Sequence, residues 1–309
     1  LQARAQDETP WCLYVGLVAP HFPLVCPEPY FGIYPPDSLP PVKAHPSDGH
    51  QRHPWVERLT AFDDSEAKFT DRAERLSALC AYYGLISWLD HNVGQILAAL
   101  EASGLSARTR VIYTSDHGDN AGARGLWGKS TMYEESAAIP LILSDPDLEP
   151  GICHTPVSLV DISHTIAGHF GAELSGGTGA SLFDMASAPY DPDRVVFSEY
   201  HAAGAASAAY MIRKGRWKLI EYLGFAPELF DLETDPEEMV NRADDPTCLG
   251  VLQELRQALA AICDPIAVDA QAHADQEALI AAYGGLDKAI RETMTIASGT
   301  PPPSLAGDR

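Results

Sequence analysis

The chain has 309 residues, 46% of them hydrophobic and 21% charged, which is the composition of a globular protein with a sizeable core. Its 43 acidic residues outnumber the 21 basic ones and give a formal net charge of −22. Such a surface repels nucleic acid and anionic lipid, and no apolar run approaches the roughly 20 residues of a membrane span, so we expect neither partner.

The six cysteines are scattered and include no Cys-x-x-Cys pair. This spacing favours buried free thiols in a reducing compartment over a disulfide framework. Residues 1–10 are polar and show no signal-peptide pattern. We therefore expect a cytoplasmic protein.

The first predicted elements are a buried strand, a long loop and a long helix. Residues 12–19 are apolar and rich in β-forming types, which predicts a buried strand that stops at Pro20. Residues 35–54 are rich in proline and histidine and predict an ordered loop. Across residues 66–103 apolar side chains recur at helical spacing, so we predict an amphipathic helix with Gly84 as a candidate break.

Strands and helices then alternate along the chain. The predicted order is strand, strand, helix and strand, at residues 111–114, 139–143, 157–170 and 195–199. This alternation predicts an α/β layer with parallel strands, in which ligands bind at the carboxyl ends of the strands.

The pattern changes after about residue 200. Residues 210–222 predict a β-hairpin that turns at Lys214 and Gly215, with a third strand at residues 229–232. These strands indicate a small antiparallel sheet beside the main one.

The last part of the chain is predicted to be helical. Helices at residues 249–262 and 270–294 precede a proline-rich, extended tail at residues 299–309. The sequence therefore predicts an α/β domain at residues 1–200 and a C-terminal α+β subdomain, with the helical, proline-rich tail, at residues 201–309.

The stretch TSDHGDNAGARGLWGK combines acids, a histidine and a lysine directly after a predicted strand. Asp116 and His117 fall at the carboxyl end of that strand, where a carboxylate and an imidazole suit a divalent cation. Gly118 permits a sharp turn, and Lys129 returns a positive charge suited to an oxyanion bound at that metal. On spacing alone, a plain turn whose aspartate caps a helix is the more frequent alternative.

Two further side chains in this stretch are candidates for substrate contact. Arg124 and Trp127 lie between the acidic pair and the lysine. We expect a solvated arginine and a packed tryptophan, with substrate contact as the alternative for both.

Several motifs, in order, resemble the sulfatases of the alkaline phosphatase superfamily, and the nearest branches are the choline sulfatases and phosphonate monoester hydrolases. The resemblance covers most of the chain. Its motifs are the stretch at 112–129 with 133–136 and 139–142, VAPHFP at 18–23, SWLD at 87–90, ELFDL at 228–232 with DPE at 235–237, and ADQ at 274–276.

The resemblance implies an alkaline-phosphatase-like, mostly parallel sheet flanked by helices, with a smaller C-terminal antiparallel sheet. It also implies hydrolysis of sulfate esters, with phosphate or phosphonate monoesters as further candidates. The substrate would be a small anionic ester, and the choline-sulfatase likeness of the tail implies a homo-oligomer.

The family roles carry over at four positions. Asp116 and His117 would bind a divalent cation, with Ca²⁺ expected first and Mn²⁺ or Mg²⁺ as alternatives. Lys129 would bind the transferring group and neutralise charge at the leaving oxygen. His21 would face the ester oxygen and act as general acid toward the leaving group.

One part of the family pattern is missing. The family nucleophile is a cysteine or serine in C/S-x-P-x-R, converted to formylglycine, but the one C-x-P of the chain, at Cys263, has Ala267 where arginine is needed. No Asp-Asp pair follows an apolar strand, since Asp63 and Asp64 suit a helix N-cap. We therefore expect a sulfatase domain that lacks its N-terminal portion, with two metal ligands and no visible nucleophile.

Two hypotheses remain open from the sequence. The first is a sulfuric ester hydrolase whose nucleophile lies outside these residues. The second is a truncated or degenerate, non-catalytic sulfatase-like protein that acts in binding or assembly.

Overall fold

The computed structural model of the chain describes residues 1–62 and 64–293. The predicted tail at residues 299–309 and one member of the Asp-Asp pair, Asp63, lie outside the described residues. Contacts divide the chain into two compact units, Leu1–Ala258 and Leu259–Arg309.

The chain before residue 54 contains isolated 3-10 turns and irregular backbone, so the strand predicted at residues 12–19 is wrong. Every side chain from residue 12 to residue 18 is exposed, and Tyr14 and Val18 are 89% and 80% exposed. A strand is stable only when a neighbour accepts its backbone hydrogen bonds, and the described residues place no strand beside this segment.

Helix α1, Pro54–Phe62, begins with proline at its first position, which suits a helix start because that position needs no N–H partner. It buries Trp55, Val56 and Leu59. The Trp55 indole N–H donates to the Ser207 carbonyl at 3.0 Å. Helix α1 therefore packs on the C-terminal sheet.

Helix α2, Arg72–Ala102, is the long helix predicted from the periodicity. The Asp71 side chain caps it by accepting the Glu74 N–H at 2.9 Å. The candidate break at Gly84 is wrong, because the helix continues through it. A Cβ there would lie 2.6 Å from Cys26 Sγ and 2.8 Å from the Tyr30 carbonyl oxygen, so glycine permits a close approach of that loop.

Strands β1, Val111–Thr114, and β2, Leu141–Ser144, form a two-stranded antiparallel sheet. The expected parallel pairing is therefore not found here. The connection folds back on itself, since the Gly118 N–H donates to the Ser136 carbonyl at 2.8 Å, and the chain returns to the end of β1 that it left. The single-turn helix α3, Glu134–Ala137, lies in this connection.

Helices α4, Leu159–His169, and α5, Leu182–Ser187, follow β2. The first confirms the predicted helix at residues 157–170. Ser158 and Asp161 form a reciprocal capping box at its start. The buried Asp161 also accepts from Arg194 at 2.6 Å, which ties the helix to the segment before the next strand.

The C-terminal sheet has four antiparallel strands in the order β3-β4-β5-β6, and it confirms the predicted small sheet. The strands are Val195–Tyr200, Ala209–Lys214, Trp217–Tyr222 and Glu228–Asp231. Strand β3 belongs to this sheet and not to the α/β layer where we expected it, because it pairs with β4 from Val195↔Lys214 to Tyr200↔Ala209. The predicted hairpin turn is confirmed to within one residue.

The sheet buries both apolar and charged side chains. Its fully buried apolar residues are Ile212, Leu219, Ile220, Leu229 and Phe230. Lys218 is also completely buried, and its Nζ lies 2.7 Å from both Glu134 Oε1 and Glu238 Oε1. A buried lysine needs such partners, because burying an isolated charge in a dry core costs about 5 kcal/mol.

The remaining helices are α6, Leu249–Ile262, α7, Pro265–Tyr283, and α8, Leu286–Thr293. They confirm the helical character predicted for this part, with a break at Gly284, which has φ +107°. None of the described helices is long and apolar enough to cross a bilayer. All six cysteines are free thiols, as predicted, but the predicted burial is found only for Cys80 and Cys248.

Candidate active site

Asp116 and His117 follow β1 directly and form one adjacent pair. The His117 Nδ1 lies 2.8 Å from the Gly118 carbonyl oxygen, and since a carbonyl only accepts, Nδ1 carries the proton. In the neutral ring Nε2 then presents a lone pair, and it lies 3.3 Å from Asp116 Oδ2. Two electron-rich atoms therefore face the same space.

This pair fits part of a metal site. A distance of 3.3 Å suits neighbouring ligand atoms around one cation whose ligands lie at about 2.0–2.6 Å. The Asp116 side chain is 80% exposed and available to a ligand. Within the described residues, no group of three histidine, cysteine or acidic side chains is placed to hold an ion. The described chain therefore offers two candidate ligands, and a metal site here would need others.

The Asp116 carboxyl has a pKa below its usual value. Burial alone raises this pKa, but the neighbouring His117 and hydrogen bonds from the backbone and from Ser115 outweigh that effect. The pair is held in place by these contacts, including the His117 N–H that donates to Asp116 Oδ1 at 3.0 Å. The carboxylate form is the form that binds a cation.

Gly118 is required by a close contact. A Cβ at this position would lie 2.1 Å from the Glu135 carbonyl oxygen. The turn predicted at Gly118 is therefore not the whole reason for a glycine, because this glycine also lets the end of β1 approach the backbone of α3.

The loop between the pair and Lys129 is closed at its base. Asp119 Oδ1 accepts the N–H groups of Ala121 at 2.8 Å and Gly128 at 2.9 Å. The Asn120 backbone N–H and side-chain amide both donate to the Gly128 carbonyl, at 2.7 and 2.8 Å. Lys129 therefore leaves the loop at a fixed point close to the start of the loop.

Lys129 and His21 come together although they are 108 positions apart. The Lys129 Nζ lies 3.5 Å from His21 Nε2. The His21 Nδ1 lies 2.6 Å from the Phe22 carbonyl oxygen, so Nδ1 carries the proton and Nε2 presents its lone pair to the ammonium group. No hydrogen bond or ion pair of the described chain joins this second pair to Asp116 or His117.

Arg124 is a buried anchor of the loop, so the expected solvated arginine is wrong. It is 2% exposed and has a left-handed φ of +53°. Its guanidinium donates to Glu135 at 2.9 Å and to the carbonyls of Glu237 and Glu238 at 3.0 and 3.1 Å. It also stacks 4.0 Å above the Tyr133 ring. These partners remove it from solvent because they satisfy its donors.

Trp127 is packed, as predicted. Its indole N–H donates to Glu66 Oε2 at 2.8 Å, and its ring lies 4.9 Å from that of Phe69. Arg52 holds the loop from another side by donating to the carbonyls of Arg124 and Gly125. The loop that presents Lys129 is therefore fixed by contacts to three separate parts of the chain.

The sequence analysis missed the residues that build this frame. Asp119 had a readable signal, because an Asp-Asn pair with a glycine two positions later, at Gly122, favours a turn closed by the aspartate side chain. Glu66 and Arg52 had none, since they lie 61 and 72 positions from their partners in the loop.

Family models match the chain over most of its length. The model described as sulfatase matches residues 1–172, which is more than half of the chain. The model described as N-sulphoglucosamine sulphohydrolase, C-terminal, matches residues 122–264.

Curated relatives agree with these matches. A choline-sulfatase from Rhizobium meliloti (strain 1021) is 34% identical over 255 residues, covering 80% of this chain and 49% of that protein. An arylsulfatase K from Xenopus laevis is 31% identical over 307 residues, covering 88% and 55%. The chain therefore spans about half the length of these relatives.

A solved structure shows the same fold. A phosphonate monoester hydrolase from Silicibacter pomeroyi superposes with a TM-score of 0.68 and 29% identity, covering 78% of this chain and 53% of that one. This likeness confirms the expected alkaline-phosphatase-like architecture with its small C-terminal sheet. The family model, the relatives and the fold lead to one conclusion: the chain belongs to the sulfatase family.

Proposed function

We propose that this chain contributes the metal-binding and oxyanion-binding half of a hydrolase for sulfate esters. The observation that carries the proposal is the convergence of His21 and Lys129 at 3.5 Å beside a rigid loop that also presents Asp116 and His117. A small anionic ester overcomes the net charge of −22 only where positive charge is concentrated. Lys129 and a bound cation supply it.

Asp116 and His117 would hold a divalent cation, with Ca²⁺ the first candidate and Mn²⁺ or Mg²⁺ the alternatives. Such a cation polarises a sulfuryl or phosphoryl oxygen. Lys129 is exposed at the end of its anchored loop and can donate to an ester oxygen without rearranging the backbone.

His21 acts on the leaving group in this proposal. To donate to the leaving oxygen it needs a proton on Nε2, the atom that faces the Lys129 ammonium. His21 then transfers that proton as the ester bond breaks.

The nucleophile and the remaining metal ligands lie outside these 309 residues in this proposal. The chain contains no C/S-x-P-x-R sequence in which a formylglycine could form. A location in the cytoplasm and assembly into a homo-oligomer stay proposals from the sequence. The alternative, a non-catalytic sulfatase-like protein, rests on the same missing motif.

An assay with 4-nitrophenyl sulfate and an aryl phosphonate monoester tests the proposal, on this chain and on any longer form of the protein. In the active form, Lys129→Met is expected to lower kcat/KM by roughly 100-fold, the usual loss for one oxyanion donor. His21→Gln should reduce turnover of an alkyl sulfate more than that of the nitrophenyl ester, because the poorer leaving group needs the acid.

Lys214→Met serves as the matched control, because Lys214 is an exposed lysine of the β4–β5 hairpin that pairs with Asp193 and Glu254. Its activity should equal that of the wild type. Full activity of Lys129→Met would contradict the proposed role. Turnover by the 309-residue chain alone would contradict the external nucleophile, and no turnover by any longer form would favour the non-catalytic alternative.

A further inference from the structure

A cavity of about 310 Å³ lies between β2, the start of α4 and the C-terminal sheet. Neither member of the pair Asp116–His117 nor of the pair His21–Lys129 lines it. Its volume lies within the range of small-molecule pockets and offers room for on the order of ten non-hydrogen atoms. Its wall is mixed: the apolar part includes Ile139, Leu141, Val157, Ile162, Val196 and Met211, and the polar part includes Thr114, Glu134, His154, Thr155 and Ser158.

One cationic side chain, Arg213 of β4, reaches this wall. Its Nε is buried and, within the described part of the chain, has no hydrogen-bond partner. Among the described residues, the nearest carboxylate oxygen is Glu134 Oε2, 3.7 Å from a terminal nitrogen of Arg213, which is too long for a hydrogen bond. The side chain is 35% exposed, so its outer nitrogens are accessible. A guanidinium with unused donors beside a partly apolar cavity can accept a planar anion.

Glu134 does not form a shorter contact with Arg213, because its carboxylate already pairs with another cation. Its other oxygen binds Lys218 at 2.7 Å, and Lys218 is completely buried. Arg213 and Lys218 are direct partners in the β4–β5 register, so both cations lie on one face of the sheet. Lys218 takes the short contacts to Glu134 and Glu238, and Arg213 is left with the long one.

We propose that this cavity binds a small monocarboxylate with an apolar body, such as a medium-chain fatty acid. The carboxylate pairs with the Arg213 fork through two parallel hydrogen bonds, and the hydrocarbon part lies against Val196, Met211 and the residues of β2. A single accessible guanidinium matches one negative charge. The apolar part of the wall suits the hydrocarbon body of such a ligand.

Calorimetric titration of the chain with octanoate, which has ten non-hydrogen atoms, tests this site without metal or turnover. The expected result is binding that Arg213→Met weakens at least tenfold and that 1-octanol fails to reproduce. Lys214→Met is the matched control, because Lys214 is the next residue and points to the other face of β4. It should bind octanoate as the wild type does.

Arg213→Lys shows whether weaker binding by Arg213→Met reflects a folding defect, because this variant keeps the positive charge and removes only the planar guanidinium. It should bind with intermediate affinity. Methyl chemical shifts should change at Val196 and Met211 and not at the exposed residues 12–18. Absent binding, equal binding by wild type and Arg213→Met, equal binding of 1-octanol, or shifts confined to residues 12–18 would each overturn the proposal. The readout is independent of ester hydrolysis, so the two proposals can fail separately.

Discussion

The C-terminal sheet and the segment at residues 12–18 are both rich in apolar residues but differ in structure. In the sheet, Ile212 and Leu219 are completely buried, and even the charge of Lys218 is paired. In the segment every side chain is exposed and the backbone is irregular. The difference lies in partners, because the sheet strands have neighbours within the described chain and the segment has none.

The candidate site combines features of both regions, because one part of it is well anchored and the other has few contacts. Its loop is anchored on the sheet side, since Arg124 binds the carbonyls of Glu237 and Glu238. His21 follows the irregular segment, and within the described residues its side chain has hydrogen-bond and ring contacts only with Phe22 and Lys129. The comparison predicts a rigid half of the site, built on Lys129, and a weakly held half, built on His21.

The largest expected effect comes from the buried charge of the sheet. Lys218→Met leaves Glu134 and Glu238 without their cation, and breaking a buried ion pair costs about 3–5 kcal/mol. Urea unfolding at pH 7 measures the loss. Lys214→Met in the same hairpin should cost about 1 kcal/mol or less, because its partners are exposed. Equal losses in the two variants would show that the buried pair is not the stronger one.

The next effect tests the anchor of the loop. Arg124→Met removes the charge that pairs with Glu135 and the donors to the backbone carbonyls of Glu237 and Glu238, at a cost of about 2–4 kcal/mol. It should also expose residues 119–129 to limited proteolysis before global unfolding. Arg256→Met, at an exposed pair with Glu221, should change neither property. An uncut loop in the first variant would contradict the anchoring role.

A pH effect distinguishes the buried acid of the sheet. Burial raises the pKa of Glu228, although the hydroxyls of Tyr222 and Tyr133 donate to it. A raised pKa means that the protonated form suits the fold, so this contribution is full at pH below the unfolded value and is lost as pH rises through the folded value.

Glu228→Gln should remove that loss. Its stability relative to the wild type is expected to increase from pH 4.5 upward to pH 8, by on the order of 1 kcal/mol, the size of one buried hydrogen bond. Denaturant midpoints across this range measure it. A relative stability that falls with increasing pH would have the wrong sign.

The smallest effect is expected in the exposed segment. Leu13→Ser and Val18→Ser should each change the free energy of unfolding by less than about 0.5 kcal/mol, because neither side chain is buried in this chain. Ile220→Ala in the sheet should cost about 2–5 kcal/mol. A loss of 2 kcal/mol at position 13 or 18 would show that the segment has a partner after all.

Local patterns predicted the elements whose signals are local. The hairpin at residues 210–222 has its turn and its strands in one window, and the long helix has a continuous period and a capping aspartate. The strand at residues 12–19 failed because a strand is completed by its neighbour, which periodicity does not reveal. The predicted helix break at Gly84 was wrong because this glycine permits a contact with a distant loop and does not bend the helix.

The residues of the candidate site also divide into those with local sequence signals and those placed only by long-range contacts. Asp116 and His117 are adjacent in one motif, so their contact was predictable, and the family resemblance supplied His21, which contacts Lys129. Arg124 could not be placed, because its partners are 113 and 114 positions away and only the tertiary fold brings them together.

NMR of histidine-labelled protein tests the central claim most directly, because one spectrum reports on both halves of the site. With Mn²⁺ we predict selective broadening of the His117 resonance, lost in Asp116→Asn, while His53 on the Tyr222 ring stays sharp. With sulfate we predict a shift of His21 that disappears in Lys129→Met. If Mn²⁺ does not broaden the His117 resonance selectively, Asp116 and His117 are not a metal-binding pair. If the sulfate-induced shift of His21 persists in Lys129→Met, His21 and Lys129 are not an anion-binding pair.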